Sequence, residues 1–389
     1  MNQGRAVLSQ VMDGIHQQQF RRCVARYGGE YKVKTFSCWE QFLAMSFAQL
    51  TYREGLRDIE ACLNSRGSQL YHLGFRNPVA RSTLADANEN RDWRIYADLA
   101  QILVRQAQQL YADDDLGFQL EETAYAFDST TIDLCLNLFP WARFRRRKGA
   151  VKLHTLLDLR GSIPTFIEIT EGRQADVRSL DALWVEPCAF YVMDRGYLDY
   201  ARLYGLHQAS AFFVIRAKKN LGFARSHSRP FAYGTGVRSD QIGYFASRQA
   251  RRDYPEKLRR VRYWDQENRR FLVFLTNHRA LPALTVADLY RSRWKVELFF
   301  RWIKQHLRIK AFYGTSDNAV KTQVWIAICV YVLIAIIKKE TRLQHSLHEI
   351  LQVLSVNAFE KVPIPQLLTN EPLTNNDVSS GNQLRLWEL

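Results

Sequence analysis

The spacing of apolar residues changes twice along this chain of 389 residues, and that change constrains the fold more than any other feature. Residues 1–118 carry apolar side chains at three- and four-residue intervals, which is typical of packed helices. From residue 119 the pattern turns to short apolar or alternating runs, which are typical of strands. Helical spacing returns over Val286–Leu307 and Val320–Lys339. The sequence therefore predicts a mixed α/β fold flanked by helical segments.

The first helical segment has two interpretations. Its apolar spacing predicts long helices over Ala6–Tyr27, Trp39–Asn64 and Asp92–Tyr111. Pro78 interrupts this pattern, and Ser82 is a candidate cap for a short helix whose face carries Asn88 and Arg91. Such a layout fits a small DNA-binding module, and it fits a plain helical cap domain equally well.

The central segment predicts strands and helices in the order strand, hairpin, helix, strand, helix, strand. The predicted elements are strand Thr123–Asp128, hairpin Lys152–Leu159 with Pro164–Thr170, helix Val177–Trp184, strand Ala189–Asp194, helix Tyr200–Gln208 and strand Phe212–Arg216. This order makes a mixed sheet in which the first and fourth strands lie side by side. A segment rich in glycine, serine and arginine follows at 221–270, and then one more strand at Phe271–Thr276.

Charge and cysteine content narrow the class of protein. The chain has 54 Lys and Arg against 39 Asp and Glu, a net charge of +15, which favours a polyanionic partner such as nucleic acid or an anionic membrane surface. Aromatic residues beside the basic clusters favour nucleic acid. The six cysteines form no CxxC pair, which argues against zinc knuckles and a disulfide scaffold. The apolar run Val324–Ile337 is shorter than a membrane span, so we expect a buried helix in a cytoplasmic protein. With DNA as its partner, that protein would be nucleoid-associated.

One helical stretch gathers most of the polar side chains that suggest chemistry. On a helix, Tyr290, Arg293, Glu297, Arg301 and Lys304 fall within about 80° of one another, so one stripe holds a tyrosine, three cations and one carboxylate. The opposite side, with Val296, Phe299, Trp302 and Ile303, is apolar and is predicted to pack on a sheet. Periodicity alone also fits an ordinary solvated face with salt bridges.

Two aspartates strengthen the chemical interpretation. Asp128 and Asp194 each end a predicted strand, where a sheet opens onto a crevice. Together with Glu297 they would form an oxygen-rich site suited to Mg²⁺. Two such ions activate a water or a 3′-hydroxyl and stabilise the leaving oxygen at phosphorus. Each aspartate taken alone also fits a turn residue.

The combination resembles the DDE, ribonuclease-H-like superfamily of cut-and-paste insertion-sequence transposases. Within it, the chain is similar to the group marked by a Tyr-x2-Arg-x3-Glu-x6-Lys signature, since Tyr290, Arg293, Glu297 and Lys304 match all three gaps. The resemblance implies Asp128, Asp194 and Glu297 as the catalytic, metal-binding triad, with two Mg²⁺ ions for which Mn²⁺ is a substitute. It also implies that residues 221–270 are a β-rich insertion placed before the glutamate.

The same resemblance implies how DNA would be held. Double-stranded DNA, as terminal inverted repeats and as target, is the expected partner, and a homodimer is the expected DNA-bound assembly. Cleavage is expected to pass through a DNA hairpin, with Tyr290, Arg293 and Lys304 on the phosphates and a tryptophan holding a flipped base. Trp294 matches the position for that ring, and Trp264 is a second candidate.

Further residues are predicted from their charge and place alone. The expected DNA contacts are Arg145, Arg146 and Arg147 in a dense basic run, Arg216 and Lys218 at a strand end, and Arg301 on the signature helix. His154 is expected to be a buried structural histidine. The predicted division is a helical N-terminal DNA-binding domain at 1–118, a catalytic core at 119–220 and 271–340, the insertion at 221–270, and a helical C-terminal segment and tail at 341–389. The alternatives are a stand-alone metal-dependent nuclease and an inactive DNA-binding protein on the same fold.

Overall fold

The computed structural model describes residues 4–145, 148–306 and 312–368, and these form a mixed α/β fold. Its strands are β1 (Ala124–Leu134), β2 (Arg143–Arg145), β3 (Lys148–Asp158), β4 (Ile163–Glu171), β5 (Phe190–Met193), β6 (Phe212–Arg216), β7 (Phe223–Ser228), β8 (Val237–Phe245), β9 (Leu258–Asp265) and β10 (Arg270–Thr276). Its helices are α1 (Val7–Val11), α2 (Gln17–Arg26), α3 (Cys38–Leu50), α4 (Leu56–Asn64), α5 (Arg81–Asn90), α6 (Arg94–Tyr111), α7 (Tyr200–Gln208), α8 (Arg248–Asp253), α9 (Ala283–Ser292), α10 (Trp294–His306), α11 (Asp317–Glu340), α12 (Leu347–Val356) and α13 (Ile364–Leu368).

All the strands belong to one sheet. Its order is β2-β3-β1-β5-β6-β10-β9-β8-β7, with β4 paired to the other side of β3 along part of its length. The first and fourth predicted strands, β1 and β5, are parallel neighbours, as expected. Strands β5 and β6 are also parallel, and the remaining pairs are antiparallel. The strands of the 221–270 segment extend the core sheet through β10, so this segment shares its sheet with the core.

Two of the long helices predicted near the N-terminus are interrupted in the structure. The first divides into α1 and α2 at extended Ile15 and His16, and the second divides into α3 and α4 around Tyr52. Tyr52 has φ 57°, a left-handed conformation that cannot continue an α-helix. Helix α3 begins with a capping box in which Ser37 and Glu40 bond reciprocally to the backbone. Apolar spacing continued across these breaks, so it did not reveal them.

The two polar residues singled out at the end of the short helix α5, Asn88 and Arg91, make contacts within the protein. It begins after Ala80, so Ser82 lies inside the helix and does not cap it. Asn88 is buried and accepts a hydrogen bond from Gln41 at 2.8 Å. Arg91 donates to the backbone carbonyl of Ser37 at 2.9 Å. Both side chains therefore stabilise the helical segment and are not available to read DNA.

Helix α11 is the centre of the hydrophobic core. All of Val324–Ile337 is buried, which confirms the predicted buried helix. Among the described residues it is the one helix long and apolar enough to cross a membrane, and 94% of its apolar window is buried inside the fold. It packs against α6, α3 and α10. The helical N-terminal segment and helix α10, which carries Glu297, therefore share a single apolar core.

Candidate active site

The two predicted aspartates lie next to each other on parallel strands. Phe127 of β1 pairs with Met193 of β5, so Asp128 and Asp194 are the next residues along the two strands. Side chains alternate across a strand, and Phe127 and Met193 both belong to a buried cluster on the side of the sheet where α7 packs, so both aspartates face the opposite side. Asp128 does not end its strand as predicted, because β1 continues to Leu134. The pairing of β1 with β5 ends at Phe127 and Met193, so the two carboxylates follow at the point where the strands separate.

The predicted signature helix is broken at Arg293. Helix α9 ends at Ser292 and α10 begins at Trp294. The N–H of Arg293 bonds to the carbonyl of Tyr290, and the N–H of Val296 bonds to the carbonyl of Arg293, which are tighter three-residue steps than the α-helix uses. The apolar side of α10 is buried at Val296, Phe299, Trp302 and Ile303, as predicted. The break places Arg293 at the junction of α9 and α10, and its side chain extends from there to Asp128 of β1.

The three predicted acids converge on Tyr290 and Arg293. Arg293 donates through Nη1 to Oδ2 of Asp128, and through Nη2 to Oε1 of Glu297 at 2.7 Å. The Tyr290 hydroxyl donates to Oδ1 of Asp194 at 2.8 Å. Both side chains are largely buried, at 9% exposure for Tyr290 and 13% for the side chain of Arg293. Residues up to 169 positions apart in sequence thus form one polar cluster, which we name the carboxylate cluster (Asp128, Asp194, Tyr290, Arg293 and Glu297).

The two aspartates experience different environments. Burial raises the pKa of Asp128 to about 6, against the lowering effects of Arg293 and of the Ser129 N–H, and the charges of Glu297 and Asp194 raise it further. Burial also acts to raise the pKa of Asp194, but the Tyr290 hydroxyl, the Arg195 N–H and the charge of Arg293 outweigh it and lower that pKa. Burial and the nearby Asp194 raise the pKa of Tyr290 to about 12, despite Arg293. The cluster therefore holds more negative charge than its single guanidinium can neutralise.

The donor set of the carboxylate cluster suits a hard divalent cation. Carboxylate oxygens from Asp128, Asp194 and Glu297 are the ligand type that Mg²⁺ prefers, and the raised pKa of Asp128 marks a buried carboxylate short of positive charge. In the described ranges, 4–145, 148–306 and 312–368, no three acidic, histidine or cysteine side chains are close enough together to hold an ion. The guanidinium of Arg293 lies between Asp128 and Glu297 and supplies positive charge to both carboxylates. The chemistry of the three carboxylates therefore fits a divalent cation, while in this structure the positive charge beside Asp128 and Glu297 is that of Arg293.

The other predicted DNA contacts are distributed around this cluster. Arg216, at the end of β6, is close enough for its charge to lower the pKa of Asp194. Lys304 donates to the carbonyl of Thr131 on β1 at 2.7 Å. Arg301 is exposed on α10 and Lys218 is exposed after β6. Arg145 ends β2, while Arg146 and Arg147 lie outside the described residues.

A cavity of about 690 Å³ opens beside the cluster between α9, α10 and the β9–β10 hairpin. Trp294 lines it and is 50% exposed. Tyr263 of β9 lines it too, and its hydroxyl accepts a hydrogen bond from Arg291 at 2.7 Å. Trp264, the next residue, does not line the cavity and packs against Phe271, with ring centroids 4.7 Å apart. Sequence reasoning missed Tyr263, although strand alternation separates residues 263 and 264 onto opposite faces.

His154 is a structural residue, as predicted. Its ring nitrogens bond to Thr170 Oγ1 at 2.9 Å and to Ser179 Oγ at 3.1 Å, and the residue has no exposed surface. Burial lowers its pKa to about 4. The neighbouring Lys152 pairs with Asp176 at 2.9 Å. These contacts fix β3 and the segment after β4 behind the carboxylate cluster.

Comparison with known sequences adds independent evidence. A protein of Sinorhizobium fredii named as a transposase, y4zB, is 34% identical over 266 residues, which are 67% of this chain and 72% of that relative. A protein of Geobacillus stearothermophilus named as the transposase of insertion sequence element IS5377 is 32% identical over 219 residues, or 56% of this chain and 57% of that relative. Among solved structures, a piggyBac transposase synaptic complex with hairpin DNA aligns with a TM-score of 0.43 and 11% identity, covering 94% of this chain and 80% of that one. That score supports no conclusion about the site.

Family assignment rests on the sequence matches. Residues 3–76 match a domain of unknown function, which adds no function to the helical N-terminal segment. Residues 119–333 match the family described as the transposase DDE domain, and they are more than half of the chain. They include all five residues of the carboxylate cluster. On this match, and on its identity to the Sinorhizobium relative, the chain belongs to the transposase DDE domain family.

Proposed function

We propose that this transposase cleaves DNA at the ends of an insertion sequence and joins the freed 3′ ends to target DNA, with Asp128, Asp194 and Glu297 as its catalytic acids. The observation that carries the proposal is the convergence of these three carboxylates on Tyr290 and Arg293. The order β4-β3-β1-β5-β6, with β1 antiparallel to β3 and parallel to β5, supports a ribonuclease-H-like core. Family membership supports the class of reaction.

The three acids are the residues that would hold Mg²⁺, as two ions, with Mn²⁺ as a substitute. When bound, such ions supply the activation of a water or 3′-hydroxyl and the stabilisation of the leaving oxygen at phosphorus. The chain contributes a rigid support, because Asp128 and Asp194 are fixed by strand register and Glu297 by a helix with a buried apolar side. Arg293 pairs with both Asp128 and Glu297 and is a fork-shaped donor suited to phosphate.

The signature residues around the acids would bind the transposon end. Tyr290 is held as a neutral phenol with its hydroxyl on Asp194, which suits a phosphate contact and not a nucleophile. Trp294 is exposed beside the 690 Å³ cavity, where its ring could receive a base flipped out during hairpin formation. Lys304, Arg301, Arg216, Lys218 and the basic run Arg145–Arg147 are the further DNA contacts that we propose. A homodimer would pair the two ends of the element.

Cleavage of the DNA that flanks the coding sequence tests the catalytic assignment. Full-length protein, a plasmid carrying those flanks and Mg²⁺ should give strand breaks at the element ends, and EDTA should abolish them. Glu297→Gln should abolish cleavage while DNA binding is retained. Glu256→Gln, which changes an exposed residue of the 221–270 segment in the same way, is the matched control and should cleave like wild type. Cleavage retained in Glu297→Gln would overturn the assignment.

A second assay separates transposition from simple hydrolysis. Precut ends with free 3′-hydroxyls, incubated with a target plasmid and Mg²⁺, should yield covalent end-to-target products. Cleavage without such products would assign the chain as a nuclease. A covalent adduct between Tyr290 and a DNA phosphate would instead overturn the proposed role of the tyrosine, which Tyr290→Phe tests by retaining some cleavage.

A further inference from the structure

The sheet carries a second polar surface on the face turned away from the carboxylate cluster. Along β9, Val261 packs in the core beneath α9 and Tyr263 bonds to Arg291 of that helix. Side chains alternate along a strand, so Arg260, just before Val261, and Arg262, between Val261 and Tyr263, face the other side. Burial agrees, because Val261 is fully buried whereas Arg262 is exposed. This outward side of β9 is remote from the acids.

Strand β7 contributes a third arginine to this face. Arg225 pairs with Gly243 of β8, and Gly243 pairs with Leu258 of β9, so Arg225 lies on the same side as Arg260. The guanidinium of Arg260 lies over the ring of Phe223, also on β7, at 4.4 Å from its centroid. We name Arg225, Arg260 and Arg262 the outer arginine face.

The positive charges of this face have no acidic partner in the part of the chain that the structure describes. Among the described residues, no carboxylate lies within ion-pair distance of any of the three arginines. The pKa of Arg260 is lowered, first by burial and then by the like charges of Arg225 and Arg262. Arg259, one residue earlier and on the inner face, is by contrast fully paired with Asp240 at 2.7 Å. Three neighbouring cations without a counterion favour an external polyanion.

Two aromatic rings, Phe271 and Trp264, lie beside Arg262 on the outer arginine face. The guanidinium of Arg262 lies 4.1 Å from the centroid of the Phe271 ring, and Trp264 packs against the same ring at 4.7 Å. The rings are therefore in contact with each other, and the guanidinium of Arg262 lies over one of them. This arrangement favours contacts from guanidinium groups to a phosphate backbone, which are independent of sequence.

We propose that the outer arginine face binds the phosphate backbone of double-stranded DNA without sequence preference. Because this face and the carboxylate cluster lie on opposite sides of the sheet, it would hold a DNA segment other than the strand being cut. The charge complementarity is independent of catalysis, while the identity of the polyanion as DNA rests on the proposed function. The occupant is thus a second duplex, such as target or flanking DNA, held next to the reaction.

Salt-dependent binding of a random-sequence duplex to the full-length protein tests this proposal. Each phosphate contact contributes about 0.9 to the slope of log K against log salt for duplex DNA, so Arg225→Ala/Arg260→Ala/Arg262→Ala should reduce that slope by about 2 to 3. The charge-retaining triple lysine variant should keep most of it. The matched control removes the three exposed arginines of α8, Arg248, Arg251 and Arg252, and should change the slope by less than about 1.

The outcomes separate the alternatives. An unchanged slope in the triple alanine variant, or an equal loss in the α8 control, would overturn the proposal. A loss confined to a single-stranded probe of the same sequence would overturn its assignment to duplex DNA. Circular dichroism and thermal unfolding of each variant show that a lost slope is not lost folding. Glu297→Gln cleavage and this slope are measured separately, so failure of either proposal leaves the other assessable.

Discussion

Replacing Arg293 with glutamine removes the cation that lies between Asp128 and Glu297. Removing one partner of a buried ion pair costs about 3 to 5 kcal/mol, because the other charge stays buried without a partner. Two features of the structure reduce this figure. Asp128 and Glu297 keep 19% and 35% of their side-chain surface exposed, and the Nε of Arg293 is buried without an acceptor among the described residues, so its removal relieves about 1 kcal/mol. We expect Arg293→Gln to lower the free energy of unfolding by about 2 to 3 kcal/mol.

Urea unfolding in metal-free buffer, followed by circular dichroism, measures this loss. Arg291→Gln is the matched control, since Arg291 is 59% exposed and pairs with Asp288 on its own helix, which predicts a loss below about 1 kcal/mol. A double-mutant cycle with Asp128→Asn isolates the pair, and in that background the cost of Arg293→Gln should fall to about 1 kcal/mol or less. An Arg293→Gln loss no larger than that of Arg291→Gln, or one unchanged by Asp128→Asn, would refute the reasoning.

Three further predictions concern the scaffold. The pKa of His154 lies near 4 in the fold against 6.5 in the unfolded chain. Neutral His154 therefore stabilises the fold fully above pH 6.5, and this stabilisation is lost between pH 6.5 and 4 because the unfolded chain gains a proton there. Urea titrations across that range should show the free energy of unfolding fall by about 3 kcal/mol, and His154→Gln should remove this pH dependence. Asp240→Asn breaks a pair whose side chains are only 1% and 2% exposed and should cost about 3 to 5 kcal/mol, whereas Asp13→Asn, in an exposed pair, should cost less than about 1 kcal/mol by the same assay. Gly243→Ala places a Cβ 2.2 Å from the carbonyl oxygen of Ala224 and should lower the melting temperature, while Gly205→Ala, on α7 with open space around it, should raise stability by about 0.5 to 1 kcal/mol.

The acids of the site could be found from sequence because their positions follow local patterns. Asp128 and Asp194 come at neighbouring points on strands whose order fixes a parallel pairing, and Glu297 lies on a helix with a clear apolar side. The family resemblance added the expectation that the three acids share a catalytic role. Strand pairing, α7 and α11 were recognisable for the same reason, since their periodicity is strong and their lengths are ordinary.

The remaining features depend on contacts between distant segments. The break at Arg293 has no local signal, because no glycine or proline lies there and the apolar spacing continues through it. Asn88 and Arg91 looked available for DNA, but their partners lie about 50 residues earlier, on or just before α3. The sequence analysis selected Trp264 and not Tyr263. Which of the two rings faces the cavity depends on which face of β9 packs against α9, and that is a contact between distant segments.

Helix α11 has a consequence for how such an element decays. Trp93 stacks on Trp325 at 6.4 Å, and the Tyr111 hydroxyl donates to the carbonyl of Ala335 at 2.8 Å, so the helices up to residue 111 cover one side of this helix. A gene copy shortened at its 5′ end would encode a product in which this apolar side of α11 is exposed to water. Such a product would be prone to aggregation and proteolysis. We therefore expect loss of the front of the reading frame to destabilise the rest of the polypeptide, the segment with the carboxylate cluster included.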